Sequence, residues 1–324
     1  MSLFEEIINK QNLSCTVKNK WWEDKSIQKT FRDACDYVIS NQLIEECNYN
    51  SELGIVICGG GKYMLTTYLV VRGLRHFECN LPITLFCYNR DELNEQDERI
   101  LKKYNIKVRF VSEENISFRN LRSYAIKIYA ICYSEYKHNI LIDSDNLPSC
   151  NLANYTNTEE YDDECIFFKD QLHDLNNRSL RQNYLNEENC EVFGVTYDGY
   201  ASTDSGLIFI NKEQYWKELL LTKWYNEFNE FYYKHNLGDK DLYLFAWKKL
   251  GSIYHYNNYV PQFWDKLCLI HYDAFGVEIC SHLAGGRNKT TRTDELLDTL
   301  KYGDLYRNFY YDYYNLKNKN FRIC

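Results

Sequence analysis

The sequence predicts an α/β protein with a mixed, mostly parallel sheet flanked by helices and a helical N-terminal extension. Two observations carry this. From Gly54 to Asp143, short apolar runs alternate with stretches of helical spacing, the pattern of strand–helix–strand units with right-handed crossovers. The runs themselves, such as Ile55-Val56-Ile57 and Ile140-Leu141-Ile142, are continuously apolar, which suits strands buried on both faces. At 324 residues, 45% of them hydrophobic, the chain can build one large core or two small ones.

The elements follow in order. Residues 1–50 read as a polar, helical extension that Trp21 and Trp22 anchor to the main domain, residues 51–295. Within that domain Gly54–Cys58 is a strand, Gly59-Gly60-Gly61-Lys62-Tyr63 a turn, and Met64–Phe77 a helix. Ile83–Tyr88 and Lys107–Val111 are strands on either side of a charged helix, Glu92–Tyr104. Ser117–Tyr136 is expected as one long helix, followed by a strand at 139–143 that Pro148 should stop. Residues 149–190, acidic and Asn-rich around Cys165–Phe168, read as a functional loop or an insertion. Thr203-Asp204-Ser205-Gly206 leads into a buried strand ending at Ile210, and Lys212–Lys234 is helical. Gly238-Asp239-Lys240-Asp241 starts a further helix, since acidic residues suit a helix N-terminus. Strand-like runs at Leu267–Tyr272 and Val277–Cys280 come last, and residues 296–324 form an aromatic tail packed on the domain.

Composition narrows the function. A net charge of −8 argues against nucleic acid as a partner. No run approaches the 18 or so apolar residues of a membrane span, so no integral membrane segment is expected. Met1–Lys10 lacks the basic and apolar regions of a signal peptide. The 13 cysteines are odd in number and contain no Cys-x-x-Cys pair. Free thiols in a reducing compartment fit them better than a zinc site, which points to the cytoplasm.

Three stretches carry candidate chemistry. Asp143-Ser144-Asp145 ends the central strand, where open α/β sheets bind ligands. Two neighbouring carboxylates repel unless a cation lies between them, and a hard ion such as Mn²⁺ or Mg²⁺ would share its shell with phosphate oxygens. The tripeptide alone is weak, because an Asp-x-Asp arises by chance about once in a chain this long. A solvated turn is the plain alternative, and Asp239-Lys-Asp241 is a second instance. The glycine turn at 59–61 is neither a P-loop, where Val56 would have to be Gly, nor a dinucleotide fingerprint, where Met64 would. It remains a turn at which backbone can approach a nucleotide, or simply a tight β–α connection. His282 precedes Gly285-Gly286-Arg287 and Lys289, as a third metal ligand beside phosphate contacts or as a packed residue.

In this order the pieces resemble the Mnn1-type α-mannosyltransferase family, whose fold is the Rossmann-like GT-A. The resemblance runs from Gly54 to Lys289 through Leu81–Tyr88, Tyr124-Ala-Ile-Lys127, Ile140–Pro148, Asp204-Ser-Gly206, Phe231–His235, Gly238–Asp241 and a final His before a basic stretch. It implies a nucleotide-sugar donor, GDP-mannose or else a UDP-sugar, and a glycan or glycoprotein acceptor, with α configuration retained. It implies Mn²⁺ or Mg²⁺ on Asp143, Asp145 and His282. Lys127 would reach the donor, and Cys58, Gly59, Gly60, Gly61, Lys62, Ser144 and Asn146 would line its pocket, with Arg287 and Lys289 on the diphosphate. Retention needs a carboxylate nucleophile or attack from the leaving-group side, for which Asp239 stands before Asp241 and Asp204. Fungal members are Golgi enzymes with an N-terminal membrane helix. A chain without one implies work in cytoplasm, a host's if viral, or a lumenal piece of a longer protein, and a homodimer is compatible with either. A sugar-nucleotide pyrophosphorylase would carry more Arg and Lys in its glycine loop than Lys62. A non-catalytic glycan-binding domain would not need the acidic pair.

Overall fold

Val56 and its neighbours Ile55 and Ile57 are fully buried on opposite faces of one sheet, as an uninterrupted apolar strand requires. The computed structural model describes residues 20–114, 121, 123–170, 186–199, 202–257, 259–264, 268–283, 293–298 and 300–318. The chain runs α1 (Lys25–Asn41), β1 (Ser51–Cys58), α2 (Met64–His76), β2 (Ile83–Cys87), α3 (Glu95–Lys102), β3 (Ile106–Phe110), α4 (Ile126–Tyr133), β4 (Tyr136–Asp143), β5 (Asn146–Pro148) and β6 (Cys165–Lys169). It continues with α5 (Glu187–Phe193), β7 (Thr203–Asn211), α6 (Trp216–Glu227), α7 (Asn229–Tyr232), α8 (Leu242–Leu250), β8 (His255–Asn257), β9 (Gln262–Trp264), β10 (Cys268–Tyr272), β11 (Glu278–Leu283), α9 (Thr293–Leu297) and α10 (Gly303–Asn318).

The main sheet has the order β3-β2-β1-β4-β7-β6-β8. Its pairs are parallel from β3 to β4 and between β6 and β8, and antiparallel where β7 meets β4 and β6. This is the mixed, mostly parallel sheet the sequence predicts. Side chains alternate between two cores. Val56, Leu141 and Ile208 face α1, α4, α6 and α8, while Ile57, Ile142 and Phe209 face α2, α10 and a second sheet. That second sheet, β5-β11-β10-β9, is antiparallel and lies beyond the carboxyl end of β4.

Several elements differ from expectation. The helix expected over 117–136 is regular only as α4, and residues 115–120 and 122 lie outside the described residues. The strand after it starts earlier, at Tyr136, whose hydroxyl lies 2.8 Å from Thr84 Oγ1 in β2. Pro148 does not stop the chain in irregular structure. It closes β5 at an edge of the second sheet, where a missing N–H costs nothing. The helix expected over 212–234 is two, broken at Phe228. Among the described residues no helix is long and apolar enough to cross a membrane, and the cysteines are free thiols.

The N-terminal segment is tied to the main body by aromatic packing. Phe31 of α1 stacks on Phe231 of α7 at 3.8 Å. His235, just past α7, places Nε2 3.2 Å from the Trp22 carbonyl, which can only accept, so this nitrogen carries the hydrogen. Burial lowers the His235 pKa from 6.5 to about 4, against the smaller opposing effect of the Trp22 carbonyl. Between these values the unfolded chain takes up a proton that the native chain refuses, so stability falls as pH drops through the window, by up to about 3 kcal/mol. His235→Gln keeps a donor for Trp22 and removes this titration. Urea unfolding of wild type and variant at pH 7 and pH 4.5 should show the wild type losing about 2 kcal/mol more; equal losses would mean that the native chain protonates His235 as readily as the unfolded chain does.

Candidate active site

β1 and β4 are neighbours with Cys58 opposite Asp143, so the glycine turn and the acidic turn emerge side by side. Gly60 has φ +102° and ψ −177°, a conformation that residues with a Cβ scarcely adopt, and it turns the chain from β1 into α2. The two turns form the walls of a cleft of about 390 Å³. Cys58, Gly59, Gly60, Lys62 and Tyr63 line one side, and Lys127, Asp143, Ser144 and Asp145 the other. Tyr88, Glu92 and Tyr124 complete the rim.

Asp143 ends β4, and Asp145 lies two residues on, buried, in the turn to β5. β11 pairs with β5 so that His282 stands opposite Asn146, which brings the imidazole back to the acidic turn. Its Nε2 is 3.4 Å from Asp145 Oδ1. Asp143, Asp145 and His282 each present an atom within 4.8 Å of the others. Lys127, on α4, reaches in from the opposite core. Its Nζ is 2.8 Å from Asp143 Oδ2, 3.2 Å from Ser205 Oγ and 3.6 Å from Asp239 Oδ2.

The electrostatics follow from burial. Lys127 is almost fully buried, which alone would favour the neutral amine, but Asp143 and Asp239 outweigh this and hold it charged, above its ordinary range. Burial and then Asp145 raise the Asp143 pKa, with Lys127 pulling the other way. Asp204 receives His282 Nδ1 at 3.0 Å and His271 Nε2 at 2.7 Å on the same oxygen, Oδ2. Although burial opposes both shifts, the charges of this pair hold Asp204 well below and His282 well above their ordinary values. His282 is therefore protonated in the cation-free protein and stands as the positive charge between Asp145 and Asp204.

The structure gathers the predicted residues unevenly. Asp143, Asp145, Lys127, Ser144, Cys58, Gly59, Gly60 and Lys62 lie together around the cleft, with His282 beside the two acids. Gly61 shapes the turn with φ +53° without lining the cleft. Asn146 is a correction: it is fully buried and donates to the Gly206 carbonyl at 3.0 Å, bracing β5 against β7 instead of facing a nucleotide. Asp241 is another: its Oδ1 accepts the Thr203 N–H at 2.7 Å, so it pins the start of β7. Asp204 is occupied by two imidazoles and the Gly206 N–H, and it too lies off the cleft lining. Arg287 and Lys289 lie outside the described residues. Sequence reasoning missed Glu92 and His271. The signal for His271 was diagonal pairing, since it shares a sheet face with His282 once the β10–β11 register is known.

Asp239 is buried, and its Oδ2 accepts no hydrogen bond among the described residues. Burial raises its pKa to about 6, with Lys127 opposing and Asp143 assisting. The native chain thus holds this proton longer than the unfolded chain does, and ionising Asp239 costs stability as pH rises from 3.8 to about 6. Asp239→Asn in EDTA should match wild type near pH 4 and exceed it by about 2 kcal/mol at pH 7.5 in thermal unfolding. A variant equally or less stable at pH 7.5 would show that the Lys127 contact outweighs burial.

The sequence profile of the Mannosyl_trans3 family, described as "Mannosyltransferase putative", matches residues 52–268. The chain is similar to alpha-1,2-mannosyltransferase MNN2 of Candida albicans, 23% identical over 286 residues, which cover 70% of this chain and 47% of that protein. It is also similar to alpha-1,2-mannosyltransferase MNN2 of Saccharomyces cerevisiae, 31% identical over 144 residues, 43% of this chain and 24% of that one. The chain therefore spans less than half the length of either. Among solved structures the galactosyltransferase LgtC, in complex with donor and acceptor sugar analogs, superposes with a TM-score of 0.44 at 17% identity, covering 63% of this chain and 73% of that one. The profile takes in Asp143, Asp145, Lys127, Asp204 and Asp239 and extends over well more than half of the 324 residues, so the chain belongs to the Mannosyl_trans3 family of mannosyltransferases.

Proposed function

We propose that this chain transfers a sugar, mannose from GDP-mannose, to a hydroxyl of a glycan acceptor with retained configuration, using Mn²⁺ or Mg²⁺ held by Asp143, Asp145 and His282. One observation carries the reading: these three side chains converge within 4.8 Å, and the two carboxylates line a cleft walled by a glycine turn. Two carboxylates and an imidazole are a suitable donor set for Mn²⁺. When bound, the cation would stabilise negative charge on the leaving diphosphate.

The chain's own residues support the same chemistry. Lys127 is held charged by Asp143 and Asp239 on the cleft wall, preorganised to neutralise the diphosphate as the glycosidic bond to it breaks. Of the three carboxylates considered for the sugar side of the reaction, Asp239 is favoured, because Asp204 and Asp241 are committed to their own partners. Glu92 favours guanine at the rim. Its Oε2 accepts the Tyr88 N–H at 2.6 Å, and the carboxylate suits the two adjacent N–H donors of guanine better than uracil, which offers one N–H between two carbonyls.

Donor hydrolysis and transfer, measured with GDP-mannose and UDP-sugars plus Mn²⁺, test this. Asp143→Ala and Asp145→Ala should each lower metal-dependent turnover more than about 100-fold while the far-UV spectrum and cooperative unfolding persist. Unchanged turnover would dismiss the site. A pyrophosphorylase would instead consume nucleoside triphosphate, and a binding module would turn over nothing. In thermal-shift titrations Glu92→Gln should cut the preference for GDP over UDP about tenfold or more. A preference left intact would remove Glu92 from base recognition.

A further inference from the structure

His271 has no part in the chemistry above, yet it is buried and bound to it. It sits on β10 with 2% of its surface exposed, its ring packed edge-on against Phe168. Its Nε2 lies 2.7 Å from Asp204 Oδ2, the oxygen that also meets His282 Nδ1 at 3.0 Å. The other Asp204 oxygen accepts the Gly206 N–H at 3.1 Å. The far nitrogen of His282, Nε2, faces Asp145.

We propose that His271 is a positioning residue of the cation site: through Asp204 it fixes the His282 ring so that Nε2 is presented to the cation held by Asp143 and Asp145. The inference rests on the cation reading given above. An ionised carboxylate only accepts, so both imidazoles donate to Asp204. With its Nδ1 hydrogen committed there, His282 in its ligating, neutral form carries its lone pair on Nε2, on the side of Asp145. Asp204 could not hold that ring if it were free to swing. The Gly206 N–H fixes one of its oxygens and the His271 N–H the other. Gly206 makes the close approach possible, since a Cβ there would stand 3.0 Å from His282 Nδ1 and 3.1 Å from Asp204 Oδ2.

Asp204, His271 and His282 also lie within 4.8 Å of one another, which suggests a cation of their own as the competing assignment. Their spacing opposes it. The two imidazoles sit at hydrogen-bond distances about a single oxygen, and none of the three residues lines the cleft, whereas Asp143 and Asp145 do.

Mn²⁺ titration of the donor-free protein, followed by the paramagnetic resonance of free Mn²⁺, decides the matter. His271→Phe keeps the packing on Phe168 and removes the donor, and His271→Gln restores a donor. The Phe variant should bind Mn²⁺ about 10- to 100-fold more weakly. The Gln variant should recover most of the wild-type affinity, and the unfolding temperature in EDTA should move little in either. If the Phe variant does not fold, Asp204→Asn tests the same link and should weaken Mn²⁺ binding likewise. Wild-type Mn²⁺ affinity in these variants would reduce His271 to a structural residue, and two Mn²⁺ per wild-type chain with one lost in the Phe variant would favour the competing site. Failure of the underlying reading looks different: wild type and Asp143→Ala would then bind Mn²⁺ equally.

Discussion

Two carboxylates at the end of one strand repel, and the surroundings of Asp143 and Asp145 answer that repulsion. Lys127 comes from the helix before the strand, and His282 from a different sheet. Lys127 is buried and His282 half-buried, so each depends on the acids as much as the acids depend on it. The result is a closed arrangement of charges in which removing one member strands another. That mutual dependence explains why Lys127 is tolerated with so little exposure and why Asp239 is drawn in beside it.

The fold supplies these charges from separate directions. The main sheet delivers the acids and the glycine turn on adjacent parallel strands, so their juxtaposition follows from strand order alone. Lys127 and Asp239 belong to segments packed on one face of that sheet. Asp204 arrives on the antiparallel neighbour β7 and the imidazoles on the second sheet. Rigid elements thus hold nearly every group on which the site depends, and the loops mainly shape the cleft.

Much of this was legible in the sequence. The apolar runs at 55–57 and 140–142 gave away the parallel strands, because only burial on both faces removes polar alternation. Asp143, Asp145 and His282 could be singled out by type and position. The roles of Asp241, Asn146 and Asp204 could not, since an acid that caps a backbone N–H and an acid that faces a substrate look alike until their partners are known. The helix expected over 117–136 failed at its C-terminal end for a related reason. Tyr136 suits either state, and its bond to Thr84 in a neighbouring strand is a tertiary fact. His271 looked like an ordinary residue of an apolar strand, and only the pairing register reveals its neighbour.

β5 is three residues long, yet it is where the second sheet attaches to the acidic turn, with Ser281 opposite Leu147 and His282 opposite Asn146. Strand faces alternate with every residue, so a slip of one position would carry the imidazole to the wrong side and bring Ser281 or Leu283 in its place. Insertions or deletions within β10 or β11, remote in sequence from the acids, would therefore act as all-or-none lesions. A change of length there would dismantle the charge arrangement while leaving the seven-stranded sheet intact.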